Sequence, residues 1–206
     1  MSLFPFNTNW QAGNRKAQSD APGILTTLQT AVMYSPGSPA VDDVDWYVAS
    51  VDMKVGAYTL AKTAPDVGAR NVTVTQTKQG TEDTNGTIVV VGEDLAGNAI
   101  TETLTPNDGA TVAGAKCFAK ITSITGVGWV IDGVEGTEDK ITVGFGALIG
   151  LPDKLSDQTQ VLGASLNNVR EATSPTVTVS ASALESNTVD LNSALNGTPV
   201  KVYYIL

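Results

Sequence analysis

A chain of 206 residues with twelve basic side chains against twenty-one acidic ones carries a net charge of −9, which repels nucleic-acid phosphates; its bases are scattered rather than clustered. One cysteine and no histidine exclude an internal disulfide, a structural zinc cluster and the commonest general base. Twenty glycines and nine prolines punctuate a sequence rich in Thr, Val, Asn and Ser, the composition of many short strands joined by turns.

The length suits one large β domain or two small ones, and a chain of this size buries roughly 70% of its unfolded surface, so it needs no disulfide or metal to fold. Charged residues make up 16% of the chain, below the usual quarter or so, which suits a surface partly covered by partners. No apolar run approaches the roughly eighteen residues of a membrane span. The start, Met1-Ser2-Leu3-Phe4-Pro5-Phe6-Asn7, lacks the basic and apolar regions of a secretory signal. The expectation is synthesis and folding in the cytosol, with any later release by lysis or a leaderless route.

Residues 1–45 read as an extended N-terminal arm. Phe4, Phe6 and Trp10 stand among Asn, Gln and Pro without helical or strand periodicity, and Pro22-Gly23, Pro36-Gly37 and Pro39 argue against long helices. Between them Ile24–Tyr34 reads as a strand, with a short helix as the alternative. Disordered segments are poor in aromatics, so the arm either wraps over its own domain or docks on a neighbouring subunit through those aromatic anchors. Asp42, Asp43 and Asp45 then crowd a short stretch before Trp46–Val51. Several carboxylates suit a hard cation, but the glycine turn and terminal glutamate of a calcium loop are missing. A solvated acidic turn is the reading; a cation site is the alternative.

Residues 46–149 are expected to form the main β-sandwich. Gly56–Leu60 and Ala69–Thr75 are strand candidates, the second alternating with Val72 and Val74 inward. Gln76–Asn85 is a polar connection. Thr87–Val91 is a β-branched run, joined by the hairpin-length Asp94–Asn98 to Ala99–Thr105, where Ile100 and Leu104 share a face interrupted by Glu102 and three threonines line the other. After the turn cluster Pro106–Gly109, Cys117–Thr125 reads as a third strand. Gly126–Ile131 continues the sheet with glycine breaks that suggest a bulge. Asp132–Asp139 is an acidic turn, and Lys140–Phe145 alternates with Ile141, Val143 and Phe145 on one face.

From Gly150 the texture changes, and residues 150–206 are expected to complete the sandwich or to form a small second β subdomain. Lys154–Glu171 is polar, with a short helical turn near Leu155–Gln158 and Val161-Leu162 crossing an edge. Thr176–Ser180, Thr188–Leu191 and Pro199–Leu206 are further strands, with Asn196-Gly197 a hairpin signal before the last. An apolar chain end is paired or buried. The regular turn spacing indicates an all-β fold, an antiparallel β-sandwich or barrel of jelly-roll or immunoglobulin-like kind.

No catalytic, cofactor-binding or metal-binding residues are assigned. Cys117 alternates with Ala119 and Ile121, the setting of a buried core thiol rather than a nucleophile. Gly144–Gly150 has a glycine spacing like a phosphate loop, but no helix or acidic ribose partner follows. Glu93-Asp94, Glu82-Asp83 and Glu135 with Glu138 lie in turns, where carboxylates bond their own backbone rather than flank a glycosidic bond. Trp46 and Trp129 fall in strand-like runs and read as core; a carbohydrate-binding fibre module would need them and Trp10 exposed as a stacking platform. The candidate interface residues are Phe4, Phe6, Trp10, Tyr203 and Tyr204.

The segment Gly92–Leu104, followed by Gly114–Ile124, resembles virion structural proteins of tailed bacteriophages. So does the tail Leu151-Pro152-Asp153-Lys154-Leu155 … Asn168-Val169-Arg170-Glu171-Ala172 … Thr188–Asn192 … Val202-Tyr203-Tyr204. The resemblance covers about half the chain. It implies a non-enzymatic, β-rich particle component without cofactors, made in the bacterial host cytoplasm and incorporated in the virion. The leading expectation is a capsid decoration or stabilising protein that partners the major capsid protein and copies of itself as a homo-oligomer, a trimer included. A tail or neck component is the alternative within that class. Neither nucleic acid nor membrane is expected as a partner.

Overall fold

The computed structural model of the protein describes residues 30–78, 84–107, 109–130 and 139–206. Among them the chain is all-β and every strand pairing is antiparallel. The strands are β1 (Ala31–Gly37), β2 (Asp43–Asp52), β3 (Gly56–Ala57), β4 (Arg70–Thr77), β5 (Thr87–Glu93), β6 (Ala99–Leu104), β7 (Thr111–Phe118), β8 (Lys120–Val127), β9 (Lys140–Gly150), β10 (Val161–Leu166), β11 (Val169–Arg170), β12 (Thr176–Thr178), β13 (Thr188–Asp190) and β14 (Val200–Ile205).

They form three sheets that stack and curl in the manner of a β-sandwich or barrel. The first sheet runs β3-β8-β5-β6. The second, of six strands, runs β12-β13-β9-β4-β7 with β2 also on β9, and the third runs β1-β14-β10-β11. Two apolar cores lie between them. In the first, Ile88, Val90, Ile100, Leu104, Ile121 and Ile124 of the first sheet meet Val72, Val74, Ile141, Val143 and Phe145 of the second. In the other, Ala164, Val200, Val202 and Tyr204 of the third sheet cover Ile149 and Val189, with Leu151, Leu155, Leu191 and Leu195 from the connections.

Strand β9 belongs to both cores, because Ile141, Val143 and Phe145 face one and Ile149 the other. Its eleven residues have β4 along one edge, while β2 pairs with its first half and β13 only with Ile149 and Gly150. At Gly144 a Cβ would lie 1.7 Å from the Asp43 carbonyl oxygen, so only glycine lets β2 cross so near. The glycine spacing of this stretch thus serves backbone approach rather than a phosphate.

The sheet changes direction at Arg70 and Asn71. Both neighbours of β4 carry extra residues here: opposite Val72 the register slips between Ala113 and Cys117 on β7, and opposite Asn71 it slips between Phe145 and Ile149 on β9. Such bulges bend a strand and leave backbone groups unpaired. Asn71 supplies the missing partners on both sides, donating to the Gly114 carbonyl (3.0 Å) and accepting from the Leu148 N–H (3.0 Å). Glu102 on β6 accepts from the Ala115 N–H (2.7 Å) and the Lys116 N–H (3.3 Å) of the β7 bulge. The charge that interrupts the apolar face of β6 therefore ties the edge of the first sheet to the edge of the second.

Several elements differ from the sequence reading. Cys117–Thr125 is not one strand: β7 ends at Phe118 and β8 starts at Lys120. The chain passes between sheets at Ala119, whose N–H donates to the Glu93 carbonyl (2.9 Å). Gly56–Leu60 shrinks to the two residues of β3, since Tyr58 turns inward and its hydroxyl bonds Lys54. Ala31–Gly37, placed within the arm, is an edge strand on β14. The helical turn sits later than read, at Gln158–Gln160, because Asp157 and Gln160 cap each other's backbone reciprocally. Asn196-Gly197 does make a turn, with Gly197 at φ +78°, but the strands it connects pair with others and not with each other.

Candidate interaction surface

The third sheet has one face on the second core and one that no other sheet covers among the described residues. Alternation along β14 turns Val200, Val202 and Tyr204 inward and leaves Lys201 and Tyr203 outward. Residues directly opposite in an antiparallel pair share a face. Met33, Tyr203 and Gly163 are therefore one outward row, and Lys201, Ser165 and Arg170 the next. On this face Met33, Leu162 and Tyr203 are 57%, 52% and 38% exposed. Contiguous apolar exposure of this kind marks contact surfaces more than single outward leucines do.

A groove of about 490 Å³ runs across this face, lined by Leu162, Gly163, Ala164, Ser165, Asn168, Arg170, Lys201 and Tyr203. Three local features shape it. A register shift lifts Leu162 out of the β10–β14 ladder. Gly163, at φ +149°, then leaves space over which the Arg170 guanidinium lies, within 3.7 Å of where a Cβ would stand. Asn167 and Asn168, both at positive φ, make the tight two-residue turn that folds β11 back onto β10. Lys201 Nζ donates to Asn168 Oδ1 (2.7 Å), a neutral partner. Ser165 is buried at 5% exposure, and its hydroxyl has no hydrogen-bond partner among the described residues.

Of the interface candidates read from sequence, Phe4, Phe6 and Trp10 lie outside the described residues. Tyr203 lies on the open face. Tyr204 does not: it is fully buried in the second core with its hydroxyl bonded to the Asp153 carboxylate. Adjacent residues of one strand point to opposite faces, so only one of the two tyrosines can meet a partner.

Asp42 and Asp45 are exposed at the start of β2, and Asp43 accepts from the Asp45 N–H (3.2 Å). The Asp45 carboxyl is held above its ordinary range by its bond to Asp43 and by that neighbour's charge. Among the described residues no group of three or more His, Cys, Asp or Glu side chains converges as a metal site would. Cys117 is buried, and burial pushes its thiol far above the usual range, so the nucleophilic thiolate is suppressed. Trp129 is buried, while Trp46 stands edge-on to Phe145 at 5.2 Å with the Lys62 ammonium over its ring at 3.1 Å. Asp94 accepts from the Ala96 and Asn98 N–H groups (2.8 and 2.9 Å) and Asp157 from the Thr159 N–H (2.8 Å), both as turn carboxylates.

Arg70 is the largest fully buried side chain among the described residues. It donates to the Gly146 carbonyl (2.9 Å), the Ala40 carbonyl (3.3 Å) and Asp66 (3.0 Å), with its carbon 4.5 Å from the Phe145 ring centroid. These bonds, made through Nε and Nη1, join β4, β9 and two connections where the cores meet, while the buried Nη2 has no partner among the described residues.

Sequence reasoning missed Met33, Leu162, Arg170 and Lys201. Leu166-Asn167-Asn168-Val169 was the available signal, since asparagines tolerate the left-handed backbone of a two-residue hairpin turn. Comparison with protein-family models, curated proteins and solved structures finds no match to the chain.

Proposed function

We propose that this protein is a non-catalytic structural subunit that works by being held among its neighbours, of the kind that decorates or stabilises the capsid of a tailed bacteriophage. The single observation behind this reading is the face of the third sheet left uncovered among the described residues, where Met33, Leu162 and Tyr203 put apolar surface in water. The resemblance of Gly92–Leu104 and of the C-terminal segments to virion structural proteins supplies the particle class. Its partners in this reading are the major capsid protein and further copies of the chain.

Co-sedimentation with purified heads and with tails tests the proposal. Recovery on heads, reduced by Met33→Glu or Tyr203→Glu in a still-folded chain, is the expected result. Recovery on tails and absence from tail-less heads would replace decoration with the tail or neck role. Binding to neither would remove the particle reading.

A further inference from the structure

The groove on the third sheet is cationic in a chain whose net charge is −9. Arg170 makes no side-chain hydrogen bond or ion pair with any described residue, and Lys201 meets only the neutral Asn168 amide. The unpartnered Ser165 hydroxyl lies between them on the same face, since Ser165 is opposite Lys201 on one side and Arg170 on the other. Two cations on one groove, with the buried Ser165 hydroxyl on the strand between them, form a donor set for a carboxylate, and Tyr203 and Leu162 provide apolar flanks.

Most described carboxylates are already engaged. Asp66 holds Arg70, Asp52 holds Lys140, Glu93 holds Lys120, Glu185 holds Lys116, and Glu171 accepts from the Ser193 N–H. Asp42 and Asp45 differ: they are exposed and joined to no base by a salt bridge, with Asp45 bonded to Asp43 and the Lys62 charge acting on it, and they stand beside the exposed Val41 and Val44. This acidic, apolar-flanked knob complements the groove in charge and in character. It starts β2 on the second sheet, whereas the groove belongs to the third, and no salt bridge connects them within the molecule.

We infer that the groove of Ser165, Arg170 and Lys201 receives the Asp42–Asp45 knob of a second copy of this chain. The inference rests on the reading of the third sheet's open face as a contact surface, and adds the partner and its chemistry. Because the two halves are different patches, the contact is head-to-tail, generating a closed ring if the rotation closes and an open row if it does not.

The test is sedimentation equilibrium of the full chain and charge-reversed variants, each checked by circular dichroism for the native strand signal. Wild type should associate reversibly, and less so as ionic strength rises from about 0.05 to about 0.5 M. Arg170→Glu with Lys201→Glu should weaken association by about tenfold or more, as should Asp42→Lys with Asp45→Lys. The quadruple variant, in which knob and groove are both reversed, should associate again. A wild type that stays monomeric, association indifferent to either reversal, or loss without rescue would each overturn the inference. Met33→Glu, on the same face but outside the groove, separates the two readings. If it alone abolishes association or head binding, the open face still docks a neighbour and only the acidic-knob partner is wrong.

Discussion

The first core is enclosed by strands drawn from residues 43–145, whereas the second is roofed by a sheet whose inner strand comes from the C-terminus and whose edge strand comes from residues 31–37. The outer surfaces of the two covering sheets differ as well. On the first sheet, Val89 and Val91 are flanked across the strands by Thr101, Thr103, Ser123 and Thr125, so hydroxyl groups finish the face. On the third, the corresponding rows carry Met33, Tyr203, Arg170 and Lys201 over a glycine and a serine. A hydroxyl-lined face is satisfied by water, while an apolar face gains by losing it. One sheet is therefore a wall, and the other is a wall with a contact surface.

The largest effect is expected where the two cores meet. Asp66→Ala leaves the buried Arg70 guanidinium without its counter-charge and should cost about 3–5 kcal/mol in urea unfolding. The pair of changes Asp66→Ala and Arg70→Met should cost less than Asp66→Ala alone. A double variant worse than the single one would show that the two cores depend on the guanidinium's bonds to Gly146 and Ala40 rather than on the charge pair.

Next come the cores themselves, which β9 allows to be compared on one strand. Ile141→Ala and Ile149→Ala both open fully buried sites and should each cost about 2–5 kcal/mol. Ile141 should sit at the upper end, because sheets enclose it on both sides. Ile149 should cost less, because connections beside it can relax. Equal losses would mean the second core is as tightly closed as the first.

A smaller effect attaches to Glu102, the link between sheet edges. Glu102→Ala removes the acceptor of the Ala115 and Lys116 N–H groups and should cost about 1–3 kcal/mol. Burial raises the Glu102 carboxyl above its ordinary value of 4.5, opposed by those two N–H bonds and by the Lys116 charge. The folded chain thus holds this proton more tightly than the unfolded one. The contribution of Glu102 is greatest below the unfolded value and falls as pH rises through the raised folded value. Glu102→Gln should therefore gain on the wild type between acid and neutral pH. The reverse trend in paired urea melts would contradict the burial argument.

The smallest effect belongs to the open face. Arg170→Ser and Lys201→Ser should each leave thermal stability within about 0.5 kcal/mol of wild type, since neither side chain holds the core. A larger loss would make the groove a structural feature of the third sheet.

Much of the first core was legible because its strands signal themselves locally. Val72 and Val74, and Ile141, Val143 and Phe145, alternate within single strands, and all are buried. Asp94–Asn98 announced its hairpin by length and turn chemistry. The corner at Ala119 was not legible, since continuous alternation looks the same whether a strand stays in its sheet or crosses to another. Glu102 read only as an interruption of an apolar face because its partners, the Ala115 and Lys116 N–H groups, are freed only by a bulge.

The sequence by itself determined that the chain would be all-β, where most strands would lie and which of their faces would be apolar, because side-chain alternation and turn chemistry act over a few residues. Only the tertiary structure decided which strands pair and which faces stay uncovered. The Ser35 hydroxyl donates to the carbonyl of Val200, 165 positions away. Pairing over such distances depends on burial summed over whole sheets, and no short stretch of residues encodes it.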